Sequence, residues 1–190
     1  MNGYDARDRA VTAAIFGLAA AAWFGWAQES PPAGWSIPLE VGSLASLVIM
    51  VGGGFLVIRH RHGPTAMADP RVRRLYHLTV AVEVVACLVG AIGLGRTGHQ
   101  AYISAWVLFV VGAHFLPLAR LFGRRDLLLS GLVLIIVSGV AVAVGTVRVA
   151  LPTTVAGAGA GLVLATCAVL DLHRAYVTRV DTAVTGSHAG

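Results

Sequence analysis

Six apolar segments, each about 20 residues long, occupy most of this chain; they lie at roughly 10–27, 36–58, 74–94, 100–121, 127–146 and 151–173. An α-helix needs about 20 apolar residues to cross a hydrocarbon core of about 30 Å. With 57% hydrophobic and only 12% charged residues, a soluble domain of 190 residues could not bury its apolar surface. The sequence therefore predicts an all-α, polytopic integral membrane protein. We expect one compact bundle of six transmembrane helices over 1–180 and a disordered tail over 181–190.

The arginines are distributed unevenly between the two sides of this predicted bundle. All 14 basic residues counted as Lys plus Arg are arginine. Twelve of them lie at the N-terminus, in the loops after the second and fourth segments, or after the sixth, and only Arg96 and Arg148 lie on the other side. Because positive loops stay in the cytoplasm, both termini are predicted to be cytoplasmic, in a plasma (inner) membrane.

Several classes of chemistry have no support in the sequence. It contains no nucleotide-binding loop, no zinc-protease motif and no serine-hydrolase elbow. Cys87 and Cys167 lie within apolar runs and lack the spacing of a metal site. The arginine-rich loops are explained by the positive-inside rule and by contact with anionic lipid headgroups. We expect no metal, no cofactor and no nucleic-acid partner, and the lipid bilayer as the surroundings.

Small residues mark several helix faces that could pack closely against other helices. Gly157 and Gly161 are four residues apart in the sixth segment, Gly17 and Gly25 lie in the first, and 52–54 is a glycine triplet in the second. Such residues let helix backbones approach each other in membranes. Contacts within the bundle are the simpler interpretation, and a homo-oligomer through the same glycine-rich faces is the alternative.

Glu83 is the most unusual residue of the predicted bundle because it lies near the middle of an apolar segment. It is nine residues beyond Arg74, about 13 Å at about 1.5 Å per residue. Its helical face is small and polar and carries Tyr76, Thr79 and Cys87, so the side chain is predicted to point into the bundle. A buried membrane carboxyl indicates a functional site, or a neutral carboxyl that bridges two helices.

His114 is the predicted partner of Glu83. It lies six residues before Arg120 in the fourth segment, at a depth of about 9 Å, within roughly one helical turn of Glu83. Pro117 removes one backbone hydrogen bond and is expected to kink the helix beside His114. The alternative is a histidine that only satisfies the backbone carbonyl released by this proline.

Four other residues complete the set of candidates. Asp171 is grouped with Glu83 and His114 as a catalytic candidate, although a local ion pair with Arg174 explains it equally well. Ser138, Trp106 and Glu40 are candidates for substrate binding together with Tyr76, Thr79 and Cys87. Glu40 follows Pro38 near the outer interface, and Ser138 could instead bond within its own helix.

Three functions are compatible with an intramembrane Glu–His pair. The first is a metal-independent enzyme in which Glu83 and His114 perform acid/base chemistry on a lipophilic, isoprenoid or lipid-like molecule. In outline the chain resembles small membrane-bound terpene cyclases, which are compact helical bundles that use membrane-level carboxylic acids without a metal. The second is a small proton-coupled transporter or channel. The third is a subunit that binds partner helices.

Overall fold

Six long α-helices make up the computed structural model, which describes residues 4–29, 31–61 and 65–187. Within these ranges there is no β-strand, and each helix is long and apolar enough to cross a membrane. The predicted all-helical architecture with six such segments is therefore confirmed. The helices are α1 (Tyr4–Ala27), α2 (Ser36–Arg59), α3 (Pro70–Arg96), α4 (Ile103–Phe122), α5 (Arg125–Thr146) and α6 (Pro152–Ser187).

Local signals outside the apolar segments set the helix ends. α3 begins at Pro70 because the side chain of Asp69 accepts a hydrogen bond from the backbone N–H of Arg71 at 2.8 Å, and proline is suited to the first helical position. α4 continues through Pro117 and ends at Gly123, whose φ of +63° is a left-handed conformation that glycine adopts without strain. Two short 3-10 helices, Ala66–Ala68 and Gln100–Tyr102, precede α3 and α4.

The two terminal helices are longer than the apolar segments predict. α1 begins at Tyr4 instead of about residue 10, and α6 continues to Ser187 instead of ending near 173. The disordered tail predicted for 181–190 is thus helical as far as Ser187, and 188–190 lie outside the described residues. Hydropathy indicates how much of a helix can lie in lipid, whereas the helix itself continues until a breaker, and α6 has no proline after Pro152.

α1 and α6 are the central pair of helices, and α3 is peripheral. α6 packs against α1, α2, α4 and α5, whereas α3 packs mainly against α4. No residue of α3 is buried. The core lies between α1, α4, α5 and α6, where Leu108, Leu134 and Leu164 are fully buried and the rings of Phe16 and Phe115 stack at 5.2 Å.

Glycines are placed where helix backbones cross most closely. A Cβ atom on Gly53 would lie 2.6 Å from the backbone nitrogen of Ala14, and one on Gly17 would lie 2.7 Å from that of Met50, so both form the α1–α2 contact. Gly157 and Gly161 face Trp23, Phe24 and Ala27 of α1 in the same way. The small faces at Gly17, Gly53, Gly157 and Gly161 are therefore occupied by helices of the same chain, whereas an added Cβ on Gly25 or Gly54 would meet nothing within 4 Å. A homo-oligomer through the glycine-rich faces stays a prediction.

One end of the bundle carries many of the arginines, and we call it the arginine-rich end: the start of α1, the loop residues 60, 61 and 65–69, Arg124 and the part of α6 around Arg174. Asp8 fastens the loop to α1, because its carboxylate accepts hydrogen bonds from the Thr65 hydroxyl at 2.7 Å and the Ala66 N–H at 2.9 Å. This contact agrees with the prediction that the N-terminus and the loop between α2 and α3 lie on the same side of the bundle.

Candidate functional site

Glu83 of α3 and His114 of α4 lie side by side, as the depth of the two residues predicts. Glu83 Oε2 is 3.5 Å from His114 Nδ1. The histidine side chain is 8% exposed and the glutamate side chain 20%, so the imidazole is covered while part of the glutamate side chain is accessible from outside the bundle. Since α3 packs mainly against α4, this pair lies at the contact between a peripheral helix and the core.

His114 Nδ1 has an unused hydrogen-bonding capacity. The atom is buried, and within the described residues it makes no hydrogen bond of good geometry, because the carboxylate contact is long. A buried polar atom without a partner is uncommon, and catalytic groups are one of the established reasons for it. The ring also lies beside the backbone carbonyl of Thr79. A movement of a few tenths of an ångström would convert the 3.5 Å contact into a hydrogen bond.

The arrangement is suited to proton transfer. A carboxylic acid beside a neutral imidazole and a carboxylate beside an imidazolium differ only by the position of one proton between Glu83 and His114. A positioned acid and a base within hydrogen-bonding reach are the elements of general acid–base catalysis. His114 and Glu83 therefore form a unit that can release a proton to a bound molecule and recover it.

The other predicted residues of this face have different surroundings. Cys87 is half-buried one turn from Glu83 on α3. The Thr79 hydroxyl donates to the backbone oxygen of Leu75 at 2.8 Å, so its own helix occupies it. Tyr76 packs its ring near that of Phe122, with ring centroids 6.5 Å apart. Cys87 is a free thiol on the same helical face as Glu83.

Trp106 fastens α3 to α4 and has a clear structural role. Its indole Nε1 donates to the backbone oxygen of Ala86 at 3.0 Å. The ring lies directly on Gly90, where an added Cβ would overlap the indole. Because Trp106 is 36% exposed, its outer part is accessible next to the α3–α4 contact. The tryptophan thereby sets the distance between the helices that carry Glu83 and His114.

Ser138 and Glu40, both predicted to contact a substrate, lie apart from this pair. The Ser138 hydroxyl is buried and donates to the backbone oxygen of Ala105 at 2.7 Å, which links α5 to α4. Its partner is therefore a neighbouring helix and not its own. Glu40 is exposed in the first turns of α2.

Asp171 lies in an ion network at the arginine-rich end. It is 2% exposed, and its carboxylate accepts hydrogen bonds from Arg124 Nη2 at 2.7 Å and from Arg9 Nη1 at 2.9 Å. Asp126 also binds Arg124, and Arg174 Nη1 is 3.5 Å from Asp126 Oδ2. We call Arg9, Arg124, Asp126, Asp171 and Arg174 the arginine–aspartate network.

The network ties together the first turns of α1 and α5, the α4–α5 loop and the middle of α6. Burial alone would lower the pKa of Arg124, but the hydrogen bonds and charges of Asp126 and Asp171 outweigh it and raise that pKa above its ordinary value. Arg124 is therefore a permanent cation in this network. Both oxygens of Asp171 are hydrogen-bonded to Arg124, which is the arrangement of a structural carboxylate. Its catalytic role stays a prediction.

The sequence reasoning did not identify Arg9, Arg124 and Asp126 as members of a network. A weak signal exists: Asp126 and Asp171 are carboxyls that flank apolar segments at the side where the arginines accumulate. Within the described ranges, no three His, Cys, Asp or Glu side chains come together as a possible metal site.

Comparisons with known proteins add no assignment to this geometry. No protein-family model, no curated protein and no solved structure matches the chain. The interpretation of its function therefore depends on the residues themselves.

Proposed function

We propose that this chain is a multi-pass protein of the plasma (inner) membrane, with both termini cytoplasmic, and an acid–base enzyme acting on a lipophilic molecule. Six helices long and apolar enough to cross a membrane support the membrane location. The concentration of arginines at one end supports the orientation, because positive segments stay in the cytoplasm.

The observation that carries the enzymatic proposal is the 3.5 Å contact between Glu83 Oε2 and His114 Nδ1. The partial exposure of Glu83 on a helix without buried residues supports access from the lipid phase. A lipophilic substrate would approach the carboxyl laterally and would not need an aqueous route. Ionisable residues within membrane segments are rare and commonly functional.

The proposed reaction needs only a proton. Glu83 in its acid form donates its proton to a carbon–carbon double bond, which forms a C–H bond and leaves a carbocation. A neighbouring carbon of this cation then loses a proton to the Glu83 carboxylate or to His114, and a new double bond forms. If His114 takes the proton, transfer across the Glu83–His114 contact restores the acid form of Glu83. The product is an isomer of the substrate, and no cofactor is consumed.

An isoprenoid or lipid-like alkene is the proposed substrate class. Alkenes of this kind partition into the bilayer and give relatively stable cations on protonation. The resemblance in outline to small membrane-bound terpene cyclases, helical bundles with membrane-level carboxylic acids, agrees with this class. Cys87 and the exposed part of Trp106 would then form part of the contact surface beside the carboxyl.

Deuterium incorporation tests the proposal without requiring a chosen substrate. Cells that express the chain or its Glu83→Gln variant would be grown in partly deuterated medium, and their lipids compared by chromatography and mass spectrometry. We expect an isoprenoid or lipid product that is an isomer of its precursor, has a different retention time and carries one deuterium more than the precursor, taken up when the Glu83 proton exchanges with water between turnovers. This product should be absent with Glu83→Gln and present with Glu29→Gln, which changes an exposed glutamate outside the set of candidate residues.

The same variants separate the alternatives. Equal lipid profiles for the wild type and Glu83→Gln would contradict the enzymatic proposal. If proteoliposomes then showed proton flux that Glu83→Gln abolishes, the chain would be the proton-coupled carrier considered as the second function. If neither activity depended on Glu83, the carboxyl would serve helix packing or a partner subunit.

A further inference from the structure

An open groove between α5 and α6 lies apart from the Glu83–His114 pair. Its volume is about 340 Å³, and apolar side chains such as Leu129, Val133 and Leu162 form most of its wall. Three polar groups line the same groove: Ser130, Thr166 and Cys167. The hydroxyl oxygen of Ser130 and the sulfur of Cys167 are 3.0 Å apart, so these two groups are hydrogen-bonded to each other. The surface of the groove is therefore nearly apolar.

The groove ends at the arginine–aspartate network. Ser130 is one turn from Asp126 and donates to its backbone oxygen at 2.8 Å, and Cys167 is one turn from Asp171. Arg174 Nη1, 3.5 Å from Asp126 Oδ2, joins α6 to α5 at this mouth. The five residues of the network comprise three guanidinium groups and two carboxylates, so cationic side chains predominate at this mouth.

A further arginine adds to this charge on the groove side. Arg125 is exposed and precedes Leu129 by four residues, which places both on the same face of α5. The side chain of Arg174 is 50% exposed, and Arg174 follows Cys167 by seven residues on the groove face of α6. The mouth therefore presents two accessible guanidinium groups above an apolar channel.

We propose that this groove binds an anionic phospholipid, with one acyl chain between α5 and α6 and the phosphate against Arg125 and Arg174. The apolar channel and the cationic mouth match the two parts of such a lipid, and basic pockets between helices at the cytoplasmic side recognise anionic headgroups. The groove volume is at the lower end of that of ligand pockets, which suits a single chain. This site depends on the proposed membrane insertion but not on the acid–base chemistry.

Native mass spectrometry of the purified chain with added lipids tests the site. We expect the wild type to retain phosphatidylglycerol in preference to phosphatidylcholine with the same chains. Each arginine near a lipid headgroup contributes about fivefold in affinity, so Arg125→Gln should reduce phosphatidylglycerol retention about fivefold and Arg125→Gln/Arg174→Gln about thirtyfold. The matched control Arg96→Gln/Arg148→Gln removes the same charge at the other end and should leave retention unchanged.

Two further measurements separate the lipid from other occupants. Val133→Phe fills the groove and should reduce phosphatidylglycerol retention, whereas Val140→Phe, which changes an exposed valine outside the groove lining, should not. Millimolar inorganic phosphate should not displace the lipid. Arg125 lies outside the arginine–aspartate network, so its single variant keeps the test valid if Arg174→Gln disturbs folding.

The proposal is overturned if the arginine variants and the control retain phosphatidylglycerol equally. It is also overturned if Val133→Phe has no effect and inorganic phosphate competes, because the mouth would then be a simple anion site. Failure of the lipid test leaves the deuterium experiment on Glu83 unaffected, since the two sites use different helices and different residues.

Discussion

Asp171 shows how a single buried carboxylate can organise one end of a helical bundle. Both of its oxygens accept hydrogen bonds from Arg124, and Arg9 adds a third, so residues from the first helix, the α4–α5 loop and the last helix meet at one side chain. Removing one partner of a buried ion pair leaves uncompensated charge and is strongly destabilising. This residue therefore offers a direct test of structural against catalytic roles.

We predict that Asp171→Asn lowers the free energy of unfolding by about 3–5 kcal/mol, because Arg124 and Arg9 lose their shared buried carboxylate. Thermal unfolding in detergent micelles measures the change, with Glu40→Gln as the control for loss of an exposed carboxylate. The double variant Asp171→Leu/Arg124→Met should lose less stability than the sum of its single changes. Loss of activity with unchanged stability would instead assign Asp171 to catalysis.

Gly90 and Trp106 form a second pair, because the indole of Trp106 occupies the space that a side chain at position 90 would need. We predict that Gly90→Ala destabilises the chain by about 1–3 kcal/mol, because its methyl group would overlap Trp106 Nε1 and displace the indole from Ala86. Thermal unfolding and the tryptophan emission maximum would both report this displacement. Gly93→Ala, where an added Cβ meets nothing within 4 Å, is the matched control. Equal melting temperatures for the two variants would contradict the prediction.

At the scale of helices, the contact of α1 with α2 depends on the absence of side chains. Gly17 and Gly53 each leave room for the backbone of the opposite helix, at distances that no Cβ atom could tolerate without movement. Without a hydrophobic driving force between helices in lipid, close packing of this kind becomes the main source of association. The glycines thus determine where α2 lies on the central pair.

We predict that Gly53→Ala lowers the melting temperature, with a cost of about 1–3 kcal/mol, whereas the neighbouring Gly54→Ala has little effect. The added Cβ at position 53 meets backbone atoms of Ala14, and the one at position 54 meets nothing within 4 Å. Combining Gly53→Ala with Gly17→Ala should be less than additive, since both act by separating the same two helices. Thermal unfolding of the four variants would check this, and equal effects at 53 and 54 would refute it.

The helix α3 differs from the others in that no residue of it is buried. It carries exposed apolar residues along its length, among them Leu78, Val85 and Leu88, and is held mainly by α4. A helix attached along one side can shift more easily than one in the centre of a bundle, because fewer contacts oppose the movement. Glu83, the acid of the proposed reaction, lies on this peripheral helix with its side chain 20% exposed.

At the scale of the whole molecule, the distribution of arginine makes a prediction about orientation. In a variant without Cys87 and Cys167, we expect Ala33→Cys in the α1–α2 loop to react with a membrane-impermeant maleimide on intact cells. Ala68→Cys, at the arginine-rich end, should react only after the membrane is opened. Both positions are exposed, so accessibility in the folded chain is matched. The reverse labelling pattern would contradict cytoplasmic termini.

The number of helices and the proximity of Glu83 to His114 could be predicted from the sequence for simple reasons. Apolar runs of about 20 residues are unmistakable, and a regular rise per residue converts position into depth. Two polar residues at a similar height on consecutive antiparallel helices are therefore expected to lie close together. The ends of α1 and α6 could not be predicted in this way, because the hydropathy pattern marks only the apolar part of a helix. The helical hydrogen bonds continue beyond that part.

The sequence by itself determined the all-helical class, the six apolar segments and the position of the unusual carboxyl within its segment. Only the tertiary structure decided that Asp171 binds Arg9 and Arg124. It also decided that Ser138 bonds to α4 instead of its own helix, and that the indole of Trp106 packs against Gly90. The physical reason is that periodicity and depth describe one helix at a time. Which faces meet depends on the packing of all six, where small residues permit approach and buried charges must find partners.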